Sequence, residues 1–186
     1  MLAYDQPMPQ PPLQTSDAAL SALAARAGAL LLASRSRVAL AESCTGGWLA
    51  KCLTDVPGSS QWFECGYVTY SNQSKEHALG VAVVAIETFG AVSRPTAEQM
   101  AAGALHASGA EFALAVTGIA GPDGGTSSKP VGLVWFALAA RDGAVEVLER
   151  RFAGDREAVR RAAVATGLVL IIAAVQRAAG APPPSR

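Results

Sequence analysis

A serine placed to attack a carbonyl stands in the segment A-E-S-C-T-G-G, residues 41–47. It follows the apolar run Val38-Ala39-Leu40-Ala41, which reads as a buried strand. Gly46 and Gly47 then open a helix expected to reach about Thr54. Ligands of open α/β sheets bind beyond the carboxyl ends of the strands, and a helix N-terminus adds unpaired N–H groups and positive potential. Ser43 would thus have oxyanion donors beside it in the backbone of Thr45, Gly46 and Gly47, where the glycines also let substrate come close. A plainer reading serves this segment equally well: Ser43 or Thr45 caps the helix and the glycines make a tight turn. Cys44 is a rival nucleophile, because helix N-termini depress thiol pKa values, although such a cysteine more often packs as a small apolar residue.

A second strand–turn–helix pattern, G-Y-V-T-Y-S-N-Q-S-K at 66–75, brings Tyr70, Ser71 and Lys75 to the same sheet edge if its strand runs parallel to the first. Lysine is scarce: Lys51, Lys75 and Lys129 stand against twelve arginines. A retained lysine marks a task arginine cannot serve, such as a base that must lose its proton. Serine paired with lysine is a nucleophile–base combination outside the histidine triads. Its lysine must titrate a few units below roughly 10.4, through burial or a nearby positive helix end. Tyr70 could relay the proton or orient the amine. Taken alone, the segment is read more readily with Lys75 as a surface charge on a short helix.

Two further segments suit binding. Val116 to Pro130 carries Gly118, Gly121, Gly124 and Gly125 directly after a strand. That is more glycine than one turn needs, and its N–H groups could cradle an anion, although it matches neither the P-loop nor the dinucleotide spacing. In F-A-G-D-R-E-A-V-R-R, Asp155 can cap a helix. Arg156 puts a cation where the helix dipole disfavours it, as an anionic partner such as a phosphate would require. Arg160 and Arg161 read as surface charges.

The elements that must position these residues alternate. A helix from Ser16 or Asp17 to about Ser34 is followed by strands at 38–41 and 66–70, each leading into a helix, the second at 73–79. A helix opened by Pro95 runs to Ser108, a strand follows at 112–116, and the stretches 131–140 and 144–152 form a hairpin. A last helix spans 155–178. This pattern predicts one three-layer α/β/α domain with a mixed, mostly parallel sheet over 16–178, between Pro-rich flexible tails at 1–15 and 179–186. Hydrophobic residues at 51% are enough for a core of that size. Lys plus Arg equals Asp plus Glu at 15 each, so no overall field draws nucleic acid or an anionic membrane. The apolar stretch 162–175 is shorter than the roughly 20 residues of a bilayer span. No secretory signal is visible, three cysteines form no C-x-x-C pair, and His77 and His106 sit in no ligand pattern. A cytoplasmic protein without a metal site is the expectation.

At these four segments the chain resembles the CinA C-terminal domain family, whose enzymatic members are nicotinamide-nucleotide amidohydrolases. The matching stretches are A-E-S-C-T-G-G-W, G-S-S-Q-W-F-E-C-G-Y-V-T-Y-S-N-Q-S-K, G-I-A-G-P-D-G-G, K-P-V-G-L-V-W-F and F-A-G-D-R-E-A-V-R. The resemblance implies hydrolysis of the carboxamide of nicotinamide mononucleotide, with Ser43 as nucleophile, Lys75 as base and Tyr70 close by, and with no cofactor. It also implies a three-layer α/β/α fold and the stand-alone deamidase form, without the N-terminal domain and linked pyrophosphatase activity of longer members. The glycine loop and Arg156 are the expected grip on the ribose phosphate. The substrate is the expected partner, with neither nucleic acid nor membrane, and the chain is expected to form a homo-oligomer, in the simplest case a dimer. The rival reading is a non-catalytic nucleotide-binding or regulatory module on the same fold.

Overall fold

The computed structural model describes residues 13–180. Most of the two expected tails lies outside the described residues; residues 13–15 have no regular structure, and 179–180 continue the last helix. The elements are α1 (Asp17–Ala33), β1 (Val38–Glu42), α2 (Trp48–Thr54), β2 (Phe63–Val68), α3 (Asn72–Leu79), α4 (Val83–Phe89), α5 (Arg94–Ser108), β3 (Phe112–Gly118), β4 (Leu133–Ala140), β5 (Val145–Arg151) and α6 (Arg156–Gly180). Local chemistry sets many of the ends. The Ser16 hydroxyl accepts from the Ala19 amide to start α1, and Ser71 and Ser74 form a reciprocal capping box on α3. Ser93 with Pro95 opens α5, and Gly80 and Gly109 close α3 and α5 in the left-handed region.

The sheet order is β2-β1-β3-β4-β5, with β1 parallel to β2 and β3, and β4 antiparallel to both of its neighbours. Four strands therefore point one way and β4 the other, which is the mixed sheet expected. From β1 the chain crosses to β2 through α2, then returns over β1 to β3 through α3, α4 and α5. α2 packs with α1 and α6 in one core cluster, while α5 lies in the cluster on the opposite face. The connections leaving β1 and β2 therefore diverge, and a crevice opens at the carboxyl ends of the strands.

The two faces carry different volumes. Val38, Leu40, Phe112, Leu114, Val134 and Phe136 point towards α1, α2 and α6, whereas Ala39, Ala41, Ala113, Ala115, Ala137 and Ala139 point towards α5. Strand alternation places one set on each side. The alanine face lets α5 lie close to the sheet, with its own Ala97, Ala101 and Ala104 buried there.

Several boundaries differ from expectation. β2 begins at Phe63 and stops at Val68, and α2 starts at Trp48, not Gly46. α4 was not expected, because its β-branched residues favour strands and only Ala85 and Ile86 of its seven residues are buried. α6 is longer than its apolar stretch suggested and, by length and composition, could cross a membrane. Its buried residues, among them Val164, Leu168, Ile171 and Val175, belong to the core cluster that it forms with α1, α2 and the sheet.

Gly103 is where α5 meets the end of α3: a Cβ there would lie 1.8 Å from the Leu79 carbonyl oxygen. Gly103→Ala gains up to about 1 kcal/mol of helix propensity, but forcing the two helices apart costs roughly 1–3 kcal/mol. A net loss of stability is expected in urea denaturation. A variant as stable as the parent, or more so, would show that this contact does not hold α3 in place.

Candidate active site

Ser43 is the first residue beyond β1, and the ladder carries on past the strand end to fix it. Its amide donates to the Val116 carbonyl at 2.9 Å, and the Thr69 amide donates to the Glu42 carbonyl at 2.8 Å. Three strand ends thereby bring Ser43, Thr69 and Thr117 together. Lys75 enters from the first turn of α3. It is 1% exposed, with Nζ 3.1 Å from the Ser43 Oγ and 2.7 Å from the Thr69 carbonyl oxygen. Burial lowers its pKa below the ordinary lysine value, because the charged amine loses its hydration. With one N–H held by the Thr69 carbonyl, the lone pair of a neutral amine can face the serine hydroxyl.

The turn after Ser43 is held differently from either sequence reading. Neither Ser43 nor Thr45 caps α2: the cap residue is Gly47, at φ +89° with no side chain to offer. The cap comes instead from Glu42, a buried carboxylate at the end of β1. Its oxygens accept from the amides of Gly47 at 3.0 Å, Leu49 at 3.2 Å and Ala50 at 2.8 Å. An anion at a helix N-terminus is favoured by the helix dipole. The Gly46 amide donates to the Ser43 carbonyl at 3.0 Å. Gly46 and Gly47 are therefore spent as donors, which corrects the expectation that they face an oxyanion. The amides of Cys44 and Thr45 meet no acceptor in another residue among the described residues; the Cys44 amide lies against its own thiol.

A cleft of about 270 Å³ lies over the serine, lined by Ser43, Lys75, Tyr70, Thr117 and Arg156 with the 118–124 loop. Gly118 and Gly121 thus fall in its wall, together with Asp123 and Gly124. The Arg156 guanidinium donates to the Gly121 carbonyl at 2.8 Å and to the Tyr70 hydroxyl at 3.0 Å, and it has no ion-pair partner among the described residues. Asp155 caps α6 as expected, accepting from the Ala158 amide. Ser71 is exposed and occupied as the cap of α3, and it lies outside the cleft lining. Thr45 is fully buried outside the lining, its hydroxyl without a partner. Gly46 and Gly47 line a separate depression behind the turn, with Trp48, Arg160 and Arg161.

Cys44 is disfavoured as a nucleophile. Burial pushes its thiol up to about 12, outweighing its own backbone amide and the nearby cations, so at neutral pH it stays protonated. Glu42 and Arg160 were missed as site residues. A glutamate at a strand end and an arginine on a helix look like solvated charges, and only a charge placed inside an otherwise apolar strand–turn segment pointed to Glu42. Arg160 is no free surface charge, since it donates to the Cys44 carbonyl at 3.1 Å and the Thr45 carbonyl at 2.7 Å. Among the described residues no group of His, Cys, Asp and Glu is arranged to hold a metal ion.

Fold and cleft together define a three-layer α/β/α protein with a buried serine–lysine contact at the carboxyl ends of its parallel strands. The chain belongs to the CinA C-terminal domain family, whose sequence profile matches residues 20–175. It is 51% identical over 155 residues to the nicotinamide-nucleotide amidohydrolase PncC of Escherichia coli (strain K12), covering 82% of this chain and 93% of that protein. To the protein of the same name from Pseudomonas putida it is 55% identical over 150 residues, covering 80% and 92%. The crystal structure of competence/damage inducible protein CihA from Agrobacterium tumefaciens matches with a TM-score of 0.82 at 49% identity, over 83% of this chain and 94% of that one.

The depressed Lys75 pKa has a stability signature. Between the folded-state pKa and the unfolded value of roughly 10.4 the unfolded chain binds more protons, so stability rises with pH across that window. Lys75→Met lacks this contribution. The stability of the wild type relative to Lys75→Met should therefore increase as urea denaturation is repeated at rising pH up to about 10.4. A difference that stays flat or falls would mean that Lys75 is not destabilised as a cation.

Proposed function

We propose that this chain hydrolyses the carboxamide of nicotinamide mononucleotide to nicotinate mononucleotide and ammonia, with Ser43 as nucleophile and Lys75 as base. The contact between the buried Lys75 amine and the Ser43 hydroxyl carries this reading, and the names of the PncC relatives support the substrate.

In the proposed reaction the Lys75 lone pair takes the Ser43 proton as Oγ adds to the amide carbon. The proton then passes from Lys75 to the departing nitrogen, the C–N bond breaks, and ammonia leaves a serine ester. Water attacks that ester and gives a proton to Lys75, which returns it to Ser43 Oγ as the acid is released. Lys75 must start neutral, so the depression of its pKa by burial works in the direction the chemistry needs. Arg156 lies at the cleft wall with no carboxylate against it among the described residues and is suited to hold the phosphate. Tyr70, whose hydroxyl accepts from Arg156, is suited to hold that guanidinium in place, a role nearer to substrate binding than to proton relay.

Ser43→Ala and Lys75→Arg test the pair. Arginine keeps the charge but cannot be deprotonated. Lys75→Arg should lose roughly 10²–10⁴ in kcat, the usual contribution of a general base, and Ser43→Ala at least as much, measured as ammonia released from nicotinamide mononucleotide. For the wild type kcat/KM should rise with pH through an apparent pKa below roughly 10.4. Near-normal turnover by either variant would remove its residue from the mechanism, and binding of the nucleotide without ammonia release by the wild type would leave a binding module.

A further inference from the structure

We infer that Arg160 is a positioning residue: its guanidinium holds the turn after Ser43 so that the Cys44 and Thr45 amides form the oxyanion site. The inference rests on the amidase reading above and adds a residue to it.

The count of donors around the serine leaves little choice. The Gly46 amide is held by the Ser43 carbonyl and the Gly47 amide by the Glu42 carboxylate. The next two amides, of Leu49 and Ala50, also belong to Glu42. The Cys44 and Thr45 amides remain, both in residues at most 6% exposed and neither with an acceptor in another residue among the described residues. Unpaired buried N–H groups are rare in folded proteins. Two in succession, directly after a candidate nucleophile, are the donors that acyl-transfer chemistry needs.

Arg160 explains why they stay free. From α6 its Nε reaches the Cys44 carbonyl at 3.1 Å and its Nη2 the Thr45 carbonyl at 2.7 Å. In a trans peptide the C=O and N–H point in opposite directions. Holding the Cys44 carbonyl towards Arg160 therefore turns the Thr45 N–H the other way. The Ser43 carbonyl, engaged by Gly46, likewise turns the Cys44 N–H outward from the turn. Arg160 lies in the depression of about 500 Å³ behind the turn, with Gly46, Gly47 and Trp48, and not in the cleft. The carbonyls thus face the arginine and the amides are turned away from it; Cys44 lines the cleft beside Ser43, and Thr45 is buried directly behind that wall. As Ser43 adds to the substrate carbonyl, its π electron pair moves to oxygen, and these two N–H groups receive that charge.

The site demands arginine. A planar fork can hold two carbonyls at a fixed spacing, whereas an ammonium is a single point. The guanidinium is itself braced, 5.1 Å from the centre of the Trp48 ring. No carboxylate lies within ion-pair distance of it among the described residues, so its charge also favours an anion on the turn.

The test is steady-state kinetics of full-length Arg160→Ala and Arg160→Lys on nicotinamide mononucleotide, beside the wild type. Removal of one oxyanion donor costs about 10²–10³ in kcat. Arg160→Ala should fall by about 10²-fold and Arg160→Lys by at least about 10-fold, with KM changed less than about 3-fold. Ethylguanidinium, the part of the side chain that Arg160→Ala removes beyond Cβ, should restore part of the Arg160→Ala turnover and none of that of Ser43→Ala. Should Arg160→Ala fail to fold, Arg160→Lys decides by its own kcat. A kcat within about 2-fold of the wild type in Arg160→Lys, or a loss confined to KM, would overturn the assignment alone. A loss in Arg160→Ala that tracks its melting temperature and resists rescue would overturn it as well. Absence of ammonia release by the wild type would overturn the amidase reading, and this inference with it.

Discussion

An amine removed from water is the constraint around which this molecule is arranged. Lys75 is one of the largest fully buried side chains among the described residues. A buried ammonium is unfavourable, so the site favours the neutral amine, and the Thr69 carbonyl and Ser43 hydroxyl are the polar partners Nζ has there. The unfavourable burial has to be offset elsewhere, through the elements that keep α3 from moving outward. The capping box at Ser71 and Ser74 defines where α3 begins, and Gly80 and the packing of Leu79 against Gly103 define where it ends. Without those restraints the lysine could swing into solvent and regain its charge.

The turn carrying Ser43 is gripped by opposite charges, each using the polarity of the backbone. Glu42, inside the sheet edge, collects amides at the start of α2; Arg160, on α6, collects the carbonyls of Cys44 and Thr45. Side-chain charge is here matched to main-chain dipoles, with no direct ion pair between the two residues. Such hydrogen bonds to charged groups contribute about 1.5–3 kcal/mol each, more than neutral ones. They also fix direction, which is what a nucleophile turn requires.

Sheet asymmetry connects this turn to the rest of the fold. Large aliphatic and aromatic residues on one face make the thick layer in which α1, α2 and α6 sit, and α6 brings Arg156 and Arg160 to opposite sides of the turn. The alanine face makes a thin layer, so α5 lies near the strands and α3 rests on α5. Lys75 therefore approaches the strand ends from the thin side and Arg160 from the thick side. Replacing the strand alanines by larger residues would lift α5 and carry α3 with it.

The sequence by itself determined what local chemistry can determine. Alternating apolar runs and capped helices specified the α/β/α class and the hairpin, because period and capping act within a few residues. The strand–turn–helix setting of Ser43, the scarcity of lysine at 75 and the cap at Asp155 were equally legible. Tertiary structure decided what depends on groups far apart in the chain. Ser43 and Lys75 are 32 positions apart, and Arg160 reaches a carbonyl 116 positions away. No periodicity records such distances, so Arg160 passed for a surface charge, Glu42 drew no reading, and Gly46 and Gly47 passed for free donors. At Cys44 the local rule even gave the opposite sign: a helix N-terminus lowers a thiol pKa, but burial, a property of the whole fold, raises it to about 12. Residue types and spacing supply the chemical groups; the packing of α3 and α6 on the two faces of the sheet decides which of them are dry, which are paired and which remain free to act.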